Sequence, residues 1–196
     1  METMTPKNVF RKFKEVFKTS GLFAENWENN KLWTKKMIGN GKTREKGDYG
    51  IFGKIAENFG FYPEERRKDK KTDFHVERGW LTSDQLWSIV KKKQIWELEA
   101  AIEHENSPSW DKVCYALAKL ADIKVKLKIL VGYPNHEKEW RKLLNQISKV
   151  LREKPLKNKE EKYLIIFGRE ESNKIEFEAW MFNYLGVRID IGRFVR

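Results

Sequence analysis

Between Glu97 and Phe182 the chain switches repeatedly between two hydrophobic periods, and this alternation restricts the fold more than any other feature. Lys124 to Gly132 sets Val125, Leu127, Ile129 and Val131 against Lys124, Lys126 and Lys128, the period of a strand with one face inward. Trp140, Leu143, Leu144, Ile147, Val150 and Leu151 then recur at helical spacing. Lys162 to Gly168 is a short apolar strand, and Lys174 to Phe182 opposes Ile175, Phe177, Ala179 and Met181 to Glu176, Glu178 and Trp180. Upstream, Ser107-Pro108 opens a helix with Trp110, Val113, Leu117, Leu120 and Ala121 on its apolar face. The stretch from Ile95 to Glu105 fits both periods: Leu98, Ala100 and Ile102 alternate, whereas Glu-Leu-Glu-Ala-Ala favours a helix. Its neighbours decide for a strand at 97–105, because that completes a β-α-β-α-β series. Such a series requires parallel strands joined by right-handed crossovers, hence an α/β fold.

The first sixty residues follow a different plan. Val9, Phe10, Phe13, Val16 and Phe17 form one stripe of a helix ending at Lys18, with Lys7, Arg11, Lys12 and Lys14 mostly off it. A second helix is expected from Ala24 to Ile38, carrying Trp27, Leu32, Trp33 and Met37, and a third from Tyr49 to Phe59, stopped by Gly60. The pattern predicts a single domain in which residues 1–60 form a helical segment packed on an α/β core at 61–196. Within that core, Lys71 to Glu77 is expected as a short strand. Leu81 to Lys92 is expected as a helix, since Thr82 or Ser83 can cap it and Leu86, Ile89 and Val90 follow at helical spacing.

Charge points to the partner. Lysine and arginine outnumber aspartate and glutamate 40 to 29, a net charge of +11, which suits an acidic polymer or an anionic surface. No apolar run approaches the roughly 18 residues of a membrane span, so no membrane insertion is expected. Cys114 is the single cysteine, which rules out an intrachain disulfide and a zinc–thiolate cluster. The chain starts without a signal-peptide core, and a cytoplasmic setting is expected.

Against this basic background, Ile102-Glu103-His104-Glu105-Asn106 stands out. In a strand, Glu103 and Glu105 share a face about 6–7 Å apart, a repulsive pair that makes sense around a hard divalent cation. Two alternatives remain open for them: a solvated strand face or a helix surface. Glu97 and Glu99 are expected at the surface, and His104 as a hydrogen-bonded core residue. His75, on the face of Asp73, is a weaker candidate for proton transfer. Gly41-Lys42-Thr43 resembles the end of a P-loop, but Lys36 stands where its leading glycine would fall and no strand precedes it. The eight tryptophans fall mostly on apolar stripes and are expected to pack the core, with Trp80 and Trp180 the ones to inspect for exposure.

The succession of a helix, a strand with Asp73, a strand with Glu103-His104-Glu105, a crossover helix and a hydrophobic strand resembles the PD-(D/E)XK nuclease superfamily over roughly residues 45–135. The resemblance implies a restriction-endonuclease-like mixed β-sheet flanked by helices. It also implies that an aspartate on one strand and Glu-x-Lys on the next gather around a divalent metal. Asp73 would match the aspartate and Glu103 the glutamate. Glu105 stands in place of the lysine, a Glu-x-Glu variant that some members share, and no proline precedes Asp73. On this resemblance, Asp73, Glu103 and Glu105 would bind Mg²⁺ or Mn²⁺ for metal-dependent endonucleolytic hydrolysis of DNA, with RNA left open and a homodimer allowed. Arg66, Arg67, Lys68, Lys70 and Lys71, then Lys91, Lys92 and Lys93, would hold the backbone. The missing lysine keeps a non-catalytic nucleic-acid-binding protein on the same scaffold as the alternative. A weaker one is a basic helix at Val9–Lys18 docking on a membrane or an acidic partner.

Overall fold

The computed structural model describes residues 2–39, 49–65, 84–91, 94–134, 137–153 and 158–196. It is an α/β protein: one mixed sheet, seven-stranded among the described residues, with helices on both faces. The strands are β1 (Tyr62–Glu65), β2 (Gln85–Lys91), β3 (Gln94–Glu105), β4 (Leu127–Gly132), β5 (Lys162–Glu171), β6 (Lys174–Asn183) and β7 (Arg188–Val195). They lie side by side in chain order. β3, β4 and β5 are parallel, and every other neighbouring pair is antiparallel. Two crossover helices, α4 (Trp110–Asp122) and α5 (Glu137–Glu153), link the parallel strands.

Three helices cover the other face: α1 (Pro6–Lys18), α2 (Asn30–Ile38) and α3 (Gly50–Asn58). The α1 stripe of Val9, Phe10, Phe13 and Phe17 is buried with Trp33, Phe52, Ile129, Ile166 and Phe177 in one core cluster. The second cluster joins Val113, Leu117 and Leu120 of α4 and Trp140, Leu144 and Ile147 of α5 to Leu130, Ile165 and Phe182. The expected helix from Ala24 to Ile38 divides. Ala24–Asn26 is a 3-10 turn, and α2 begins at Asn30 because the Asn29 side chain accepts from Leu32 N at 3.0 Å as an N-cap.

The larger correction concerns residues 81–92, expected as a helix. Gln85–Lys91 is strand β2, paired antiparallel with β3. Leu86 there packs on Ala101 in one core while Trp87 enters the other, and a helix would need its apolar residues on a single side. Burial on two faces overrode local spacing. Lys128 is a second correction, because it points into the core and is fully buried. A central parallel strand has helices on both faces and therefore no outward side. The Lys128 ammonium donates to Ala121 O at the end of α4 (3.1 Å) and pairs with Glu161 (3.1 Å), offsetting the cost of burying its charge. Trp180 is 7% exposed, edge-to-face with Trp140, so it is core rather than a stacking platform. The strand expected at 71–77, and Trp80, lie outside the described residues.

Candidate functional site

β3 runs without interruption from Ala100 to Glu105 beside β4, so its side chains alternate strictly there. Ala100 and Ile102 enter the core under α1–α3, and Ala101 enters the core under α4 and α5. Glu103 and Glu105 therefore share the α4/α5 face. Glu103 is 3% exposed and pairs with Lys119, which α4 directs at it. A carboxylate buried this deeply costs several kcal/mol unless a cation compensates. Glu105 is half-buried, and its Oε1 accepts from Ser107 N at 2.7 Å where the chain leaves the strand.

The antiparallel register carries a third carboxylate to the same place. Gln85 pairs with Ile102 and Leu86 with Ala101, so extending that register by one residue sets Asp84, just before β2, opposite Glu103. The Asp84 Oδ2 accepts from His104 N at 2.8 Å, which ties the head of β2 to the end of β3. Sequence reasoning missed Asp84 because a helix assigned to 81–92 has no cross-strand partner. The signal was available, since a strand at 85–91 turns Asp84 into the aspartate that precedes an acidic strand. Asp73, chosen instead, lies outside the described residues, as do Arg66, Arg67, Lys68, Lys70, Lys71, His75, Lys92 and Lys93. The backbone of Lys91 ends β2, at the end of the sheet away from Glu105.

The opposite side of β3 is structural. His104 is buried, its Nε2 is 2.7 Å from the Tyr133 hydroxyl, and burial pushes its pKa down to about 3. Burial also raises the Tyr133 phenol well above its ordinary value. Both stay neutral near pH 7. Tyr133 packs edge-on against Trp27 and Trp33, joining the N-terminal helices to the strand that bears the carboxylates. Asn106 adds a second tie by donating to Thr34 Oγ1 of α2 at 2.7 Å. Glu97 is exposed and Glu99 buried at 6% exposure, and Lys126 pairs with them at 3.1 and 2.9 Å. Glu99 falls where the β2–β3 register slips, and the bulge turns it from the surface position expected.

No group of three His, Cys, Asp or Glu among the described residues has the spacing to hold a metal ion. Asp84, Glu103 and Glu105 carry carboxylate oxygens, the donor type hard cations take, and Lys119 pairs with Glu103. A groove of about 580 Å³ on the same face lies between α5 and β6–β7, bordered by Arg141, Arg188 and Arg193. β6 is three strands from β3, roughly 14 Å at the usual strand spacing, with α4 and α5 packed over the intervening strands, so this groove is not part of the carboxylate site. No helix among the described residues is long and apolar enough to cross a membrane. No family model, curated protein or solved structure matches the chain.

Proposed function

We propose that the chain is a metal-dependent endonuclease of restriction-endonuclease-like fold, hydrolysing phosphodiester bonds of DNA. The observation that carries this reading is the position of Asp84 across from Glu103, with Glu105 two residues further on the same face and Lys119 at the Glu103 carboxylate. That is an aspartate just before one strand and Glu-x-Glu on the next, with a lysine of α4 paired to the first of the two glutamates. Asp84, Glu103 and Glu105 would hold Mg²⁺ or Mn²⁺. The ion would lower the pKa of an attacking water and stabilise charge on the phosphorane and the leaving oxygen. Lys119 pairs with Glu103 and would supply positive charge toward a bound phosphate. The net charge of +11 favours the approach of a polyanion.

The test is cleavage of plasmid and oligonucleotide DNA with and without Mg²⁺ or Mn²⁺. Glu103→Gln and Asp84→Asn should each reduce cutting roughly 100-fold or more, the scale of losing one preorganised electrostatic group. Binding measured in EDTA should change little. Asp73→Asn decides between the two aspartates, and Asp84 is the ligand if that variant keeps its activity. Full activity in Glu103→Gln would end the nuclease reading.

Two observations favour a second reading, a nucleic-acid-binding protein without catalysis. Glu103 is already paired, and no three candidate ligands have metal-holding spacing among the described residues. Salt-sensitive DNA binding with no metal-dependent cutting would select it.

A further inference from the structure

The two edges of the sheet are built differently. β1 is four residues long and contains Pro63, a short, proline-bearing edge of the kind that discourages pairing with another chain. β7 is eight residues long, and among the described residues only β6 pairs with it. Seven large hydrophobic side chains are exposed among the described residues, and four of them, Leu185, Val187, Ile189 and Val195, fall in or beside β7. Leu185, Val187 and Ile189 are 42–52% exposed. α1 covers the upper part of this strand, where Phe10, Phe13 and Phe17 pack on Phe194. The lower part, from Val187 to Asp190, is left open, with Ile189 beside Met181 of β6.

The strand is also complementary to itself. Arg188 and Asp190 are exposed and share a face, opposite Phe182 and Trp180 of β6. Neither has an ion-pair partner among the described residues. In an antiparallel pair of identical strands centred on Ile189, Arg188 of one copy stands directly opposite Asp190 of the other, and the reverse. Directly opposed residues lie on one face with Cβ atoms about 4.5–5.5 Å apart. Ile189 then meets its own counterpart on the opposite face beside Val187, and Ile191 is the extra residue of the bulge at which β7 shifts register on β6. A two-fold axis makes each such contact twice.

We propose that β7 is a homodimer interface at which two copies of this chain pair antiparallel about Ile189, joining their sheets into one. The proposal is independent of the nuclease reading, because it concerns the edge farthest from β1 and uses none of Asp84, Glu103, Glu105 and Lys119.

Sedimentation equilibrium on the full chain tests it, with circular dichroism confirming that each variant is folded. The wild type should sediment at twice the chain mass at tens of micromolar. Ile189→Asp should be a folded monomer. Arg188→Asp sets like charges opposite one another at both ends of the pair and should weaken dimerisation about tenfold or more, as should Asp190→Arg. The double exchange Arg188→Asp/Asp190→Arg restores opposite charges and should recover the dimer, which a merely structural role for either residue would not predict. A monomeric wild type would overturn the proposal. So would a dimer that tolerates Ile189→Asp, or single charge reversals that the double exchange fails to rescue.

Discussion

His104 shows how one buried side chain sets a response of the whole protein to acid. Its imidazole, held near a pKa of about 3 by burial, stays neutral in the folded chain, whereas in the unfolded chain it titrates near 6.5. Below pH 6.5 the unfolded state therefore binds a proton that the folded state does not. The contribution of His104 is fully present above 6.5 and is lost as pH falls toward 3, at about 1.4 kcal/mol per pH unit. His104→Gln keeps a polar group for Tyr133 and removes the titration. Urea unfolding at pH 7 and pH 5 should show a smaller loss of stability in the variant than in the wild type. Equal losses would mean that the acid sensitivity comes from other groups. The two faces of β3 differ in kind, since Glu103 is paired with the Lys119 ammonium while His104 is neutral and meets a phenol.

At the scale of elements, the contact between α2 and α3 depends on Gly50. It opens α3 with φ +66°, and a Cβ there would lie 2.6 Å from Gly39 N and 2.7 Å from Met37 O, both backbone atoms. Left-handed backbone and a clash with main chain are each costly for an L-residue. Gly50→Ala should destabilise the protein by about 2 kcal/mol or more, measurable as a lowered urea midpoint, while an unchanged midpoint would show that the two helix ends move apart freely. The parallel centre of the sheet was legible in the sequence because its strands and crossover helices have contrasting periods and enough length to display them. Elements that take their form from partners were not. β2 has helix-compatible spacing and becomes a strand through β3, β1 is only four residues long, and β7 carries its exposed Ile189 where a core pattern would be sought. The site divided in the same way. Glu103 and Glu105 are neighbours along one strand and could be paired from sequence, whereas Asp84 and Lys119 reach them only through cross-strand register and helix packing.

Across the whole molecule, burial rises toward the middle of the sheet. Every described residue of β4 is buried, as are Tyr163 to Gly168 of β5, between the helices of both faces. Amide hydrogen exchange should accordingly be slowest in β4 and β5 and faster in β1, since opening a central strand approaches global unfolding. Protection as high in β1 as in β4 would contradict that order.

The order of the strands across the sheet is also their order along the chain. Among the described residues no strand has to be inserted between two that have already paired, and each arrives at the edge left by its predecessor. Sheet contacts are thereby kept between successive segments, which limits the chain entropy lost before a contact forms. A chain of this kind can be laid down from β1 to β7 in the direction of synthesis, each new strand finding its place as it leaves the ribosome.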